Sequence, residues 1–283
     1  MDKVIILADS TCDLSPELLD AYDISILPLM ITMGDETKKD GTEISPDEIY
    51  HWSDKTEETP KTAAPTIGDA IAFLEPFTKK GCDIIFFGIS ESMSATCNVM
   101  RLAADNLEFK NLHVVDSKSL STGIGLQVLR ASELARKGLS ANEILDDNKE
   151  INSKVRASFV VDTLTFLHRG GRCSAAAKLL ANTLRLKPEI EVVDGKMGVG
   201  KKYRGNIKSV ILKYVQEREE QLKNADTDRI FITHSGCDEE IIESIRKYID
   251  DLNIFNEILI TRAGGVISSH CGPNTLGVIY ISK

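Results

Sequence analysis

The run KVIILAD, residues 3–9, decides the fold class, because an unbroken apolar stretch ends there at an acidic residue close to the start of the chain. Runs of the same kind recur: DIIFFG (83–88), NLHVVDS (111–117), RIFITHS (229–235), EILITR (257–262) and GVIYIS (277–282). Short apolar runs rich in β-branched residues and bounded by Gly, Asp or Ser are typical of strands buried on both faces of a sheet. They predict a sheet that is largely parallel.

Amphipathic patterns occupy the intervals between these runs. The predicted helices are Thr66 to Lys80, Ser94 to Asn106, Ser121 to Lys137 and Asp238 to Leu252. The last of them has an apolar face at Ile241, Ile242, Ile245 and Ile249, which is the spacing of a helix packed on a core. Alternation of strand and helix indicates α/β layers.

The middle of the chain has a different pattern. VRASFVVDTL, from Val155, and KPEIEVVDGKMGVGKKYRG, from Lys187, predict strands, and the second folds back at Asp194-Gly195, a pair suited to a type I′ turn. A length of 283 residues suits two cores better than one. We therefore predict an α/β protein of two domains: an N-terminal parallel-sheet α/β/α domain (1–157) and a C-terminal α/β domain with a mixed sheet (158–283).

Composition excludes several classes of function. Apolar residues make up 42% and charged residues 27% of the chain, as in ordinary soluble proteins. The net charge of −9 opposes binding to nucleic acid, which requires clustered Lys and Arg. The first apolar run is too short for a signal peptide, and no window suits a membrane span, so we expect a cytoplasmic protein. Six cysteines without a C-x-x-C pair predict neither disulfides nor a metal site.

The segment GKMGVGKK, residues 195–202, partly fits a nucleotide-binding loop. It has Lys202 where a magnesium-binding Ser or Thr belongs, and it follows a hairpin instead of joining a strand to a helix. We interpret it as a hairpin with basic residues. A nucleotide-binding module is the alternative, and ATP binding without lipid would reveal it.

The segment GISESMS, residues 88–94, approaches the nucleophile elbow of α/β hydrolases. Ser92 replaces the second Gly of that motif, whose missing side chain permits the strained turn. A serine esterase that uses one of these serines with His270 is therefore the alternative among enzymes, and its orienting acid stays open between Asp116 and Asp162. The competing interpretation is that the serines satisfy backbone groups of a strand-to-helix loop, with Ser94 as the N-cap.

Four polar residues fall at the ends of predicted elements, where open α/β sheets bind ligands. In HRGGRCS (168–174) a Gly-Gly pair and Arg172 precede the helical pattern SAAAKLLANTLR, which favours an anion. Thr62 opens TAAPT, a helix start with Thr66 as the expected N-cap. Together with Ser94 and His270, these residues predict a site for an anionic group.

At this combination the sequence resembles the DegV family. TAAPT (62–66) matches its T-S-x-P-S motif, ESMSATCN (91–98) its L-S-G-T segment, LHRGGRCS (167–174) its L-x-K-G-G-R-I-S motif, and GVISSHCGPNTLG (265–277) its G-x-H-x-G-P-G ending. DSTCDL (9–14) after the first strand is also typical of the family. The motifs occur in order, and the resemblance covers the whole chain.

The resemblance implies a lipid carrier without catalysis of its own. Family members bury one long-chain fatty acid in a tunnel and resemble the subunit that presents the acid to a separate kinase for acyl-phosphate formation. By carry-over, Thr62 and Ser94 hold the carboxylate, while Arg172, His270 and Arg204 belong to the head-group and phosphate region. No cofactor is implied, and the partners are the fatty acid and the kinase subunit. Transient contact with a membrane surface is compatible with this role.

Overall fold

The computed structural model of the protein describes residues 4–79, 81–174 and 186–283. Its strands are β1 (Ile5–Asp9), β2 (Ser25–Leu27), β3 (Met30–Met33), β4 (Glu36–Lys39), β5 (Lys61–Ala63), β6 (Ile84–Gly88), β7 (Leu112–Asp116), β8 (Val155–Val160), β9 (Leu186–Val193), β10 (Lys196–Arg204), β11 (Ala225–Ser235), β12 (Glu257–Arg262) and β13 (Thr275–Ser282). Its helices are α1 (Pro16–Tyr22), α2 (Pro46–Thr56), α3 (Ile67–Thr78), α4 (Thr96–Asn106), α5 (Thr122–Arg136), α6 (Ala141–Asn152), α7 (Thr165–Gly170), α8 (Ile207–Gln216), α9 (Glu219–Lys223), α10 (Glu239–Asp251) and α11 (Gly265–Cys271).

The first sheet is parallel, with the strand order β2-β1-β6-β7. Side chains of β6 point alternately to its two faces: Phe86 packs with α3 and α4, whereas Phe87 faces α5 and the second sheet. Both faces are therefore covered, which explains why the strand sequences are unbroken apolar runs. This sheet confirms the prediction made from the runs at residues 3–9, 83–88 and 111–117.

The second sheet is mixed and has the order β10-β9-β8-β13-β11-β12. Its neighbours pair antiparallel except β11 and β12, which are parallel. Helices α8 and α10 cover its outer face, and the four isoleucines predicted for α10 are buried there. Asp194 and Gly195 both have positive φ, 48° and 76°, as a type I′ turn requires. The two sheets confirm the predicted fold class.

A third, antiparallel sheet of order β4-β3-β5 belongs to the N-terminal half and was not predicted. Its strands are only three or four residues long and half exposed, so they lack the continuous apolar run that marks the other strands. This sheet fixes the position of Thr62, which lies on β5 and pairs with Ile31 of β3.

The two large sheets share one core with α5 between them. Most of α5 is buried, and its side chains contact both β1 and β8. Strand β8 begins at Val155, so the predicted boundary after residue 157 falls inside a strand of the second sheet. Most of the helix predicted from Ser174 falls at 175–185, outside the described residues. Within the described ranges, no helix combines the length and the apolar character needed to cross a bilayer.

Candidate functional site

A narrow cavity opens where α11 lies against β5 and the loop after β6. Its polar side chains are Thr62, Ser94, Arg172 and His270. Its apolar walls come mainly from Leu29, Ile89, Met93, Leu120, Met197 and Ile267. The fold thus brings together four of the five residues that the sequence predicted for the head-group site.

The polar end of this cavity is organised around one hydrogen bond. Thr62 Oγ1 and His270 Nε2 are 2.6 Å apart. Thr62 is held in the middle of the short strand β5, and Thr66 caps the following helix, as predicted, by accepting from the backbone N–H of Asp69. His270 lies in the last turn of α11. The sequence pattern placed His270 at the end of an element and did not predict this helix.

Burial sets the charge of His270. Desolvation, with a smaller contribution from the positive charge of Arg172, lowers the pKa of His270 to about 4. The imidazole is therefore neutral near pH 7. The other ring nitrogen, Nδ1, is buried beside Gly170 and has no hydrogen-bond partner among the described residues.

Ser94 lies in the loop between β6 and α4. Its backbone N–H, like that of Met93, bonds to the carbonyl of Ser90, and its Oγ lies 2.8 Å from Oγ1 of Thr96. The helix begins at Thr96 with Ala95 at the N-cap, so Ser94 is not the cap that the sequence suggested. Its hydroxyl therefore lines the cavity while it is paired with the hydroxyl of Thr96.

Arg172 joins the loop after α7 to the loop of Ser94. Its guanidinium donates to the carbonyl of Gly170 at 2.8 Å and, with a longer contact of 3.5 Å, to that of Met93. Both acceptors are neutral, and in the described part of the chain no carboxylate forms an ion pair with Arg172. The exposed cation is thus oriented at the cavity while its charge is not neutralised by an ion pair.

Arg204 is the predicted site residue that the structure does not bring to this cavity. It ends β10 and lines a separate surface depression together with Lys202 and Lys213. The glycine- and lysine-rich segment 195–202 lies in the turn and second strand of the β9–β10 hairpin, as we interpreted it, and it does not lead into a helix. The geometry of a nucleotide-binding loop is therefore missing there.

The described residues do not assemble the catalytic geometry of the esterase alternative. Ser90 is buried and donates to the carbonyl of Gly195 at 2.7 Å, and Ser94 is paired with Thr96. His270 contacts Thr62 instead of any serine of GISESMS, and no acid orients its Nδ1 in the described chain. A triad needs both contacts.

An apolar cavity continues from the first along α11. The two share the walls formed by Leu120, Ile267 and Cys271, and the second extends between the sheets to Ala157, Phe159 and Ile279. The two adjacent cavities therefore outline a path from the polar end into the shared core. Sequence reasoning missed this part, since its apolar residues carry no pattern that separates a cavity wall from an ordinary core.

Metal chemistry has no visible site in the described ranges, where no group of three or more His, Cys, Asp or Glu could hold an ion. No disulfide joins the cysteines of the described residues. Five of them are buried, as in reduced proteins that use cysteine as a small apolar residue.

Comparisons with known proteins agree with this architecture. A DegV domain-containing protein of Clostridium perfringens is 30% identical over 283 residues, which covers all of both chains. A fatty-acid-binding DegV family protein from Thermus thermophilus has a TM-score of 0.89 and 29% identity, and it too is covered completely. A stearic-acid-binding protein from Eubacterium ventriosum has a TM-score of 0.86 and 26% identity over 100% of this chain and 99% of its own. The family of uncharacterised DegV proteins matches residues 3–283. With a match over nearly its whole length, the chain belongs to the DegV family.

Proposed function

We propose that this protein binds one long-chain fatty acid, with the carboxylate held by Thr62 and Ser94 and the acyl chain along the path between the sheets. The observation that carries the proposal is the Thr62–His270 pair at the polar end of an otherwise apolar cavity. Relatives over the full chain length from Thermus thermophilus and Eubacterium ventriosum are described as binding fatty acid and stearic acid, which supports the same ligand class here.

The acyl chain and the carboxylate contribute differently to the free energy of binding. Burying about 14 methylenes at roughly 0.8 kcal/mol each contributes on the order of 11 kcal/mol before the entropic costs of binding. Each charge-assisted hydrogen bond to the carboxylate contributes only about 1.5 to 3 kcal/mol. The tail therefore determines affinity, and the head-group residues determine orientation and prevent the cost of burying an unpaired carboxylate.

The tautomer of His270 prepares Thr62 to act as a donor. A buried N–H without a partner is rarer and costlier than an unpaired acceptor, so the bare nitrogen belongs at Nδ1 and the proton at Nε2. Nε2 then donates to Thr62 Oγ1, and the hydroxyl proton of Thr62 is free to bond a carboxylate oxygen. Neutral His270 thus orients the hydroxyl without adding charge.

The exposed cation beside this pair suits a more negative product. Arg172 and Ala63 are both exposed at the polar end, so a head group held there is accessible from outside the protein. In our proposal the protein presents the bound acid to a separate kinase, which supplies the phosphoryl group, and Arg172 favours the acyl phosphate through its unneutralised charge.

Binding requires the walls of the path to move. The cavity volume is about 40 Å³ for the first cavity and about 20 Å³ for the second, which is room for only a few water molecules. Met93 and Met197 line the first cavity. Because methionine is unbranched and adaptable, their side chains are the ones we expect to rearrange when an acyl chain enters.

Native mass spectrometry of the purified protein, followed by analysis of its organic extract, tests the proposal. We expect a mass increment that matches an extracted or added long-chain fatty acid and that is lost in Thr62→Ala plus Ser94→Ala. The matched control is Thr56→Ala plus Ser209→Ala, which removes two exposed hydroxyls and should leave the increment intact. A protein that neither carries nor takes up fatty acid would refute the proposal.

A serine-directed fluorophosphonate probe separates the carrier from the hydrolase alternative. We expect no covalent labelling of Ser90, Ser92 or Ser94, because His270 is paired with Thr62 and activates none of them. Labelling that is lost in His270→Ala would favour the hydrolase.

A further inference from the structure

Three buried carboxylates lie behind the head-group residues, and the proposed binding of fatty acid does not use them. Asp9, Asp13 and Asp40 are 0%, 5% and 2% exposed. Two of them belong to DSTCDL (9–14), the segment that begins at the last residue of β1 and has no part in the head-group site. In the described chain their partners are backbone N–H groups and hydroxyls, and none forms an ion pair.

Asp13 connects three separate segments of the chain. Its Oδ1 accepts from the backbone N–H of Gly264 at 2.9 Å, and its Oδ2 accepts from the hydroxyl of Ser121 at 2.5 Å. Ser121 immediately precedes α5 and has φ 52° and ψ −144°, a conformation that a residue with a side chain rarely adopts. The strained serine is thus held with its hydroxyl on Asp13, and Asp13 is held on the start of α11.

Asp40 makes the second contact to the same helix end. Its Oδ1 accepts from the backbone N–H of Gly265 at 2.8 Å. A Cβ on Gly265 would lie 2.7 Å from that oxygen and 2.7 Å from Cδ1 of Ile31, so the backbone approaches this closely only because residue 265 is glycine. Two carboxylates from the N-terminal half therefore hold two consecutive N–H groups at the start of α11, those of its N-cap Gly264 and its first residue Gly265.

The helix held in this way carries the head-group histidine. His270 follows Gly265 by five residues, a rise of about 7.5 Å along the helix, and its Nε2 must meet Thr62 on β5. A helix of seven residues has little stability of its own. Its direction therefore depends on the elements against which it packs and on what holds its first turn.

We propose that Asp13 and Asp40 are positioning residues of the head-group site, which clamp the start of α11 so that His270 reaches Thr62. This inference rests on the proposed function for its effect on fatty acid, but the effect on His270 is independent of any ligand. Burial raises the pKa of both carboxyls. The contact of Asp13 and Asp40 with the start of α11 therefore requires hydrogen bonds more than negative charge. A neutral amide, as in Asp13→Asn, should consequently hold the helix as the carboxylate does.

The test compares Asp13→Ala and Asp40→Ala with Asp13→Asn, and with Tyr214→Phe as control. Tyr214 is fully buried and bonds Ser158 and Val278 in the second core, away from α11, so its loss destabilises the protein without touching the clamp. Two quantities are measured: the pKa of His270 by NMR in the protein stripped of lipid, and the affinity for a long-chain fatty acid.

We expect both alanine variants to raise the pKa of His270 from about 4 towards 6.5, because the released helix end admits water. Affinity should fall by about tenfold or more, because Thr62 loses the histidine that orients its hydroxyl towards the carboxylate. Asp13→Asn should restore both values, and Tyr214→Phe should change neither.

Two results would overturn the inference: folded alanine variants with unchanged His270 pKa and affinity, or the same changes in Tyr214→Phe. If Asp13→Ala does not fold, the pKa of His270 and the fatty-acid affinity measured in Asp40→Ala test the inference in the same way. If the wild-type protein binds no fatty acid, the proposed function fails, and the pKa of His270 still decides whether the clamp exists.

Discussion

Thr62 Oγ1 and His270 Nε2 form a 2.6 Å hydrogen bond although 208 residues separate them in sequence. The bond joins a three-residue strand of the N-terminal half to the last turn of a helix from the C-terminal half. The bond therefore depends on the packing of the two halves, and it also lies at the proposed head-group site. A substitution of Thr62 or His270 should consequently affect both the stability of the protein and its binding of fatty acid.

Removal of the Thr62 hydroxyl at nearly constant shape tests its role as a donor. Thr62→Val should weaken retention of a long-chain fatty acid by about 10- to 100-fold, the equivalent of one charge-assisted hydrogen bond of about 1.5 to 3 kcal/mol. Thr62→Ser keeps the hydroxyl and should bind within a few-fold of wild type. Isothermal titration with lipid-free protein measures both, and equal affinity of the valine and serine variants would contradict a donor at this position.

The low pKa of His270 makes a prediction about stability and pH. The pKa is about 4 in the folded protein and near 6.5 in the unfolded chain, so between these values the unfolded state binds the additional proton. The contribution of neutral His270 is complete above about pH 6.5 and is lost as the pH falls towards 4. The free energy of unfolding of wild type minus that of His270→Gln should therefore rise across this window, by at most about 3 kcal/mol.

Urea unfolding of both proteins at intervals from pH 4.5 to 8 measures this difference. The subtraction is essential because buried Asp9, whose pKa burial raises to about 6, contributes in the opposite direction over part of the same window. A difference that stays flat from pH 4.5 to 8 would show that His270 titrates near its ordinary value.

Elements with a strong local pattern could be predicted from the sequence, and elements without one could not. The unbroken run of β6 and the isoleucine face of α10 have periodicities that only a buried strand and an amphipathic helix share. Strand β5 has just three residues, Lys61–Ala63, and is defined by its pairing with β3, which lies about thirty residues earlier in the sequence. Such a strand forms because of tertiary contacts, so its own sequence has no pattern from which it could be predicted.

Some residues of the proposed site could likewise be predicted from the sequence, and others could not. Thr62, Ser94, Arg172 and His270 could be selected because polar residues at element ends carry chemistry and because the motifs resemble a family. Arg204 was also carried over from the resemblance, and the hairpin places it on a different surface. Asp13 and Asp40 were missed because their role depends on Gly264 and Gly265, more than 220 residues away.

The second cavity makes a prediction about chain length. Ala157 lies on its wall, and Ala157→Leu should fill the space that the end of a long acyl chain would occupy. Each methylene thus excluded costs about 0.8 kcal/mol, or about fourfold in affinity, so the preference should shift to shorter acids. Ala103→Leu is the control. Ala103 is also buried, but it lies on α4 in the core on the face of the first sheet that points away from the second sheet. Retention of saturated acids of 12 to 18 carbons, compared by mass spectrometry, should move only in Ala157→Leu.

Two glycines in helices predict opposite responses to alanine. At Gly265 a Cβ would lie 2.7 Å from Oδ1 of Asp40, whereas at Gly68 in α3 the nearest contact would be 3.8 Å away. Gly265→Ala should therefore destabilise the protein by about 1 to 3 kcal/mol, as overpacking does, and should also weaken fatty-acid retention by displacing α11. Gly68→Ala should stabilise it by about 0.5 to 1 kcal/mol, because alanine restricts the unfolded chain and fits the helix. Both expectations are tested by measuring the urea unfolding midpoint and the fatty-acid retention of each variant on the same samples. If Gly265→Ala unfolds like wild type, the backbone of α11 has room beside Asp40, and the clamp is looser than the distances require.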